Sequence, residues 1–310
     1  MKHLVLEVET GESGRTLQSL LHDRGGFSHD FARGLIDSGA VRPAPGRAPV
    51  RAGDYARRVR PGETYEITYE ADRRYHARPA ERSGRGYRVI YRDDDLLVVD
   101  KAPDLLSVPS RLREEASLAD LLLASEQGRG DRRAAIHPVH RLDRDTSGLL
   151  VFARNGEAMA GLRDQFAGRT VDRRYLAVAE GRIEAAEGQF LSRVVEDPRT
   201  LKVRSTRRPA EGREAITHYK VTDRLPQATI VAVRLGTGRK NQIRVHFSEA
   251  GHPLVGDHRY GHRSPLIRRA ALHAESLGFA HPRTGKRLVF QSPLPPDMRD
   301  LIRKLRARPA

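Results

Sequence analysis

Asp143 is the residue whose surroundings most invite chemistry. It stands in the run His140-Arg141-Leu142-Asp143-Arg144-Asp145-Thr146-Ser147-Gly148, and an apolar stretch from Leu149 to Phe152 follows at once. A carboxylate on a charged loop that enters a buried strand is held rigidly at the edge of a cleft. Ionised, it can attack carbon or take a proton, and the neighbouring arginines should hold it ionised at neutral pH. A plain salt bridge to Arg141 or Arg144 explains the same residues, so the loop alone leaves both readings open.

Two further segments carry reactive side chains. Val171 to Val178 reads as a strand, with Tyr175 between basic and apolar residues. A tyrosine there either fills a core or offers a ring on which a base stacks. Leu235 to His246 reads as a glycine-rich basic turn, Gly236-Thr237-Gly238-Arg239-Lys240, that leads into a strand over Ile243 to Phe247. Glycines let backbone amides approach an anion and Arg239 and Lys240 add charge, although the Walker ending is missing and a solvated basic turn is the alternative. His137, His140 and Asp143, or His252, Asp257 and His258, have spacings compatible with a metal. Arg141 and Arg144 would repel a cation at the first of these, and scattered histidines produce such triplets by chance. No functional metal is expected.

The elements that must position these residues belong to an α+β protein. Leu17, Leu20 and Leu21, then Phe31, Leu35 and Ile36, have helical spacing, with Ser28 as a cap and Gly39 as a stop. Tyr65, Ile67 and Tyr69 alternate as in a half-buried strand. Residues 1–70 thus form a small unit, residues 71–86 a charged linker, and residues 87–310 the larger domain. Within it, Tyr87 to Tyr91, Leu96 to Val99, Ala215 to Val221 and Ala228 to Leu235 read as strands, residues 157–168 and 296–306 as helices, and the basic stretch 199–213 as an exposed loop or hairpin tip.

Composition narrows the partners. The 310 residues carry 56 basic against 40 acidic side chains, a net charge of +16, which points to a polyanion and first to nucleic acid. There is no cysteine, so disulfides, thiolate nucleophiles and cysteine-held metals are excluded. No apolar run is long enough to span a membrane, and no signal-peptide core precedes the first strand. A cytoplasmic monomer without membrane attachment is expected.

Together the three segments resemble the RluA-type family of pseudouridine synthases. The match runs through His140 to Leu149, Arg173 to Ala177 and Gly238 to His246, with supporting matches at Lys101, at Gly251 to Asp257 and at Leu272 to Ala274. It covers roughly residues 87–300, and three motifs in order are specific. Departures are Arg173 where lysine is common, Asn241 where histidine is common, and Ala102-Pro103-Asp104 in place of Pro-Ala-Gly. The first seventy residues resemble, more distantly, an S4-type RNA-binding unit that lacks its usual Asn-Gly turn.

The resemblance implies a catalytic domain built on a central mixed, mainly antiparallel sheet flanked by helices and loops. It implies isomerisation of uridine to pseudouridine in structured RNA, ribosomal rather than transfer RNA, with no cofactor and no metal. Asp143 would be the essential carboxylate and Arg244 its ion-pair partner. Tyr175 would stack on the uracil and assist removal of the C5 proton. Arg141 would fill the space left by a flipped base, with His140, Arg173, Arg239, Lys240 and Gln242 as further substrate contacts. A transfer-RNA enzyme and a non-catalytic RNA-binding or ribosome-assembly factor are the alternatives. A nucleoside or glycoside hydrolase would need paired carboxylates or a metal.

Overall fold

The computed structural model describes all residues except 48, 51–53, 71–85, 110–115, 132, 209 and 308–310. The chain divides into two compact units, Met1–Glu81 and Arg82–Ala310. Apart from Gly86, the expected linker lies outside the described residues.

The smaller unit holds β1 (Lys2–Glu7), α1 (Leu17–Asp23), α2 (His29–Asp37), β2 (Val41–Pro43) and β3 (Thr64–Tyr69). The hydroxyls of Thr16 and Ser28 accept the backbone N–H groups of Ser19 and Phe31, which caps the two helices, the second as expected from Ser28. The antiparallel sheet has the order β1-β3-β2. Leu17, Leu20 and Leu21 of α1 pack with Leu35 and Ile36 of α2 against Leu6, Tyr65 and Ile67 of the sheet.

The larger unit begins with β4 (Tyr87–Arg92), β5 (Leu96–Lys101), α3 (Leu118–Gly128), β6 (His137–Pro138), β7 (Ser147–Ala153) and α4 (Gly156–Ala167). It continues through β8 (Asp172–Glu180), β9 (Glu187–Glu196), β10 (Val203–Thr206), β11 (Arg213–Leu225) and β12 (Ala228–Leu235). It ends with α5 (Gln242–Glu249), β13 (Leu272–Ala280), β14 (Arg287–Gln291) and α6 (Pro296–Arg306). One sheet takes in every strand, in the order β10-β9-β11-β12-β8-β13-β7-β5-β4, with β14 on β13 and β6 on β7. All its pairings are antiparallel except β13 with β7. This is the expected α+β class with a mixed, mainly antiparallel sheet.

β7 is buried along its whole length, which is why it reads as an unbroken apolar run. Leu150 and Phe152 enter one core with Leu97, Val99, Leu118 and Leu122, while Leu149 and Val151 enter another with Tyr91, Leu162 and Phe279. A third core forms where Met298, Leu301, Ile302 and Leu305 of α6 meet Val178 and Ile230. The stretch 199–213 is not all loop, since it contains β10.

One expectation is overturned. Residues 243–247 form part of helix α5, not a strand. Ile243, Val245 and Phe247 alternate with polar residues, but Gln242, Arg244 and His246 are buried as well. The polar members are inside because each has partners there, so the apparent period of two marks neither a strand nor a half-exposed surface.

Gly148 opens β7 beside the parallel pairing, where it stands opposite Ala274. Its φ is +111°, and a Cβ there would collide with the Ala274 backbone. Gly148→Ala should lower unfolding stability by about 3 kcal/mol, from left-handed strain plus overpacking. A reduced denaturant midpoint with an unchanged slope would show it.

Candidate active site

The Asp143 loop is anchored on both sides of the carboxylate. Before it, Val151 donates its N–H to His140 Nε2 (3.0 Å), and the Ser107 hydroxyl bridges the N–H and C=O of Leu142 (3.1 and 2.7 Å). After it, Thr146 N–H donates to Asp143 O (3.1 Å) and Arg269 donates to Asp145 O (3.1 Å). Lys101 lies beneath, 1% exposed, and donates to the backbone oxygens of Ala102 and Arg144 (2.8 Å each). Burial, reinforced by the charge of Arg269, pulls its pKa down to about 7. Asp104, at φ +61°, takes the left-handed conformation that glycine usually fills, and its carboxylate accepts from Arg144 Nε at 2.7 Å. Arg144 is therefore a tie between two loops as well as a surface charge.

Arg244 projects from the first turn of α5. Its Nε and Nη2 donate to the two carboxylate oxygens of Asp257, both at 2.7 Å, and Nη1 donates to Asn241 Oδ1 at 3.2 Å. The same Nη1 lies 3.6 Å from Asp143 Oδ2. Asp257 is wholly buried and also accepts the N–H groups of Arg259 and Tyr260. Burial opposes the charged form of Arg244, but the bonds and charge of Asp257, with the charge of Asp143, outweigh it and raise its pKa. Asn241, where the resembling family commonly has histidine, starts α5 at φ +55° and donates to the Tyr260 hydroxyl at 3.0 Å.

The Asp143 side chain is 22% exposed, open enough to meet a ligand. Its pKa is raised: burial outweighs the opposing charges of Arg244 and Arg141. The arginines thus do not depress it as their proximity in sequence suggests, because desolvation is the larger effect. A carboxylate so placed is a stronger base and nucleophile once ionised. Tyr175 lies on β8, 6% exposed, and burial raises its pKa as well. Its hydroxyl has no hydrogen-bond partner among the described residues.

Asp143, Tyr175 and Arg244 line one cavity of about 440 Å³, within the range of small-ligand sites. Arg141, His140, Arg173, Arg239, Lys240 and Gln242 line it too, but in different states. Arg141 is exposed, and Arg141, Arg173 and Arg239 have no carboxylate in ion-pair range among the described residues. Arg173 lies over the Phe166 ring and against Gly238, where a Cβ would strike its guanidinium. Lys240 is paired with Glu196.

Gln242 is 2% exposed, and its amide is spent inside the protein. Oε1 accepts from Thr237 Oγ1 and Arg239 N, and Nε2 donates to Ile216 O and Thr217 Oγ1. It braces the basic turn and has no group left for a substrate. His140 also has a packed ring, stacked 4.7 Å from Phe166, and burial with the charge of Arg173 lowers its pKa to about 3, so it is neutral.

The histidine and carboxylate triplets do not form metal sites. Among the described residues only Asp93, Asp95 and His281 cluster closely enough to hold an ion. There Asp93 accepts the N–H groups of Asp95 and Leu96, and Asp95 pairs with Arg283.

A family model described as RNA pseudouridylate synthase matches residues 95–249, half of the chain, a span that includes Asp143, Tyr175 and Arg244. The protein belongs to this family of isomerases. It is 41% identical to an uncharacterized RNA pseudouridine synthase, YjbO, of Bacillus subtilis (strain 168), over 69% of this chain and 75% of that one. It is 34% identical to ribosomal large subunit pseudouridine synthase D of Zymomonas mobilis over 90% of each. The fold is that of human RNA pseudouridylate synthase domain containing 4, with a TM-score of 0.59 at 23% identity over 70% of this chain and 92% of that one.

Sequence reasoning missed the partnership of Asp257 with Arg244, weighing Asp257 as a metal ligand and as part of a supporting motif match. The signal was Arg244 itself, since an arginine set between the apolar residues Ile243 and Val245 and buried with them requires an equally buried acid. Removing that acid strands a buried charge. Asp257→Ala should cost about 3–5 kcal/mol, and Asn241→Ala, which removes a weaker bond to the same guanidinium, about 1 kcal/mol. Urea unfolding of both variants tests this order.

Proposed function

We propose that Asp143 is the reactive carboxylate of a synthase that converts uridines of structured ribosomal RNA to pseudouridine. The observation that carries the reading is the grouping of Asp143, Arg244 and Tyr175 on one cavity where Arg141, Arg173 and Arg239 have no acid in ion-pair range among the described residues. The glycosidic bond between C1′ and N1 breaks, the uracil turns, C5 bonds to C1′, and the C5 proton leaves. Nothing is oxidised, reduced or hydrolysed overall, so the reading needs no cofactor. Ionised Asp143 either attacks C1′ or removes the C2′ proton, and both routes use the raised basicity that burial confers.

Arg244 fixes the carboxylate from one side, while Tyr175 offers a ring face for the uracil. Its raised pKa keeps Tyr175 a neutral phenol, which suits stacking and makes it a weak base for the C5 proton. A uridine in a stem must leave its stack, at a cost of a few kcal/mol, and Arg141, exposed and lining the cavity, would fill the gap. Relatives named for the large ribosomal subunit support ribosomal RNA as the substrate. The smaller unit would add a second, S4-like RNA contact.

Asp143→Asn should bind RNA and release no tritium from RNA labelled at uridine C5; full release in that variant would end the assignment. Tyr175→Phe keeps the ring and should stay within about tenfold of the wild-type rate, whereas an unfolded Tyr175→Phe protein would make the residue purely a core side chain. The activity requires ionised Asp143, whose pKa is raised. Turnover should therefore fall on acidification with a midpoint above about 3.9, the value of a free aspartate. A kcat–pH profile still flat below that value would contradict it.

A further inference from the structure

Two arginines line the cavity beside its basic turn, Arg169 just after α4 and Arg239 in the turn before α5, and a third, Arg213 at the start of β11, lies within electrostatic range of Arg239. One carboxylate stands among them. Glu214 accepts from Arg169 Nη2 at 2.6 Å, and its backbone oxygen accepts from Arg239 Nε at 2.9 Å. The terminal nitrogens of Arg239 and the whole guanidinium of Arg213 have no acceptor among the described residues. Arg239 is half-buried, and its pKa is lowered by that burial and by the charges of Arg213 and Arg169. Like charges held within range of one another repel, and an anion between them relieves that repulsion. Folded proteins rarely keep such an arrangement on the surface, because an unpaired arginine can swing into water. Here the bond to the Glu214 backbone holds Arg239 in place, and Arg169 is fixed at φ +59°, a left-handed position more usual for glycine.

Arg169 and Arg239 line the same cavity as Asp143, while Arg213, which is not part of its lining, acts on Arg239 through its charge. The geometry points to a phosphodiester subsite: Arg239, Arg213 and Arg169 together take one backbone phosphate of the RNA beside the target nucleotide, with Glu214 holding Arg169 until the RNA arrives. Guanidinium groups suit this because their fork matches two phosphate oxygens at once. Such a contact sets the register of the strand in the cavity and reads no base. The inference rests on the reading of the protein as an RNA-modifying enzyme and adds Arg169 and Arg213 to its substrate contacts.

The test uses the full chain and two probes: polyuridylate for binding, and a transcribed large-subunit ribosomal RNA that the wild-type protein modifies for turnover. Arg169→Ala and Arg213→Ala should each weaken polyuridylate binding about tenfold at low salt. Each should also flatten the dependence of log Kd on log salt concentration by part of about 0.7, the share of the one single-strand phosphate that the three arginines hold together. With the ribosomal RNA the loss should fall on KM. Glu214→Gln, which removes the competing acid, should tighten binding several-fold. An unchanged salt slope in both arginine variants, a loss confined to kcat, or weaker binding by Glu214→Gln overturns the subsite. Failure of the wild-type chain to form pseudouridine in any RNA strikes the functional reading instead, and the polyuridylate measurement still decides the subsite.

Discussion

The site depends on one guanidinium shared between two carboxylates. Asp257 takes Nε and Nη2 of Arg244 in a planar two-bond pair, so the arginine cannot turn to grip Asp143 in the same way. What reaches Asp143 is a single nitrogen at 3.6 Å. Full neutralisation would leave Asp143 a stable ion-pair partner and a poor nucleophile. Partial neutralisation holds its position and leaves its basicity high. A helix aims Arg244 at both acids while Gln242, on the same first turn, braces the basic loop.

The arrangement of arginines is the second organising feature. Away from the cavity many pair with acids: Arg88 with Asp100, Arg154 with Glu126, Arg269 with Asp297 and Arg306 with Asp223. Around the cavity, Arg141, Arg173 and Arg239 have no acid in range among the described residues. A net charge of +16 could spread evenly over a surface, but here the unpaired share includes the place where a polyanion would present its base. Affinity from the backbone and chemistry on the base would then be neighbouring functions of one concave surface.

Much of the fold was legible in the sequence, for identifiable reasons. Helix α6 matches its expected bounds because it has one clear apolar face, and strand β12 because its apolar run is unbroken and buried on both faces. The caps at Thr16 and Ser28 behave as short hydroxyl side chains ahead of helices usually do. Helix α5 was misread because polar residues are buried there, and hydrophobic periodicity has no means of marking a buried glutamine or arginine. Lys101 escaped for the same reason: a lysine reads as surface, while this one is sealed under the Asp143 loop. Asp143, Tyr175 and Arg244 were legible through motif resemblance, and Asp257 would have followed from asking which acid answers a buried arginine. Gln242 belongs to a matched motif, yet its position serves the turn and not a ligand.

Strand β13 has a consequence for how the protein comes into being. It lies between β8, which carries Tyr175, and β7, which follows the Asp143 loop. Those two strands do not pair with each other, and the wedge that joins them is made from residues 272–280. A chain leaving the ribosome holds every side chain of the proposed reactive trio some thirty residues before it holds the strand that aligns them. The cavity can close only once this late segment has inserted between two earlier ones. A chain assembled in that order brings the proposed trio together only with a nearly finished sheet.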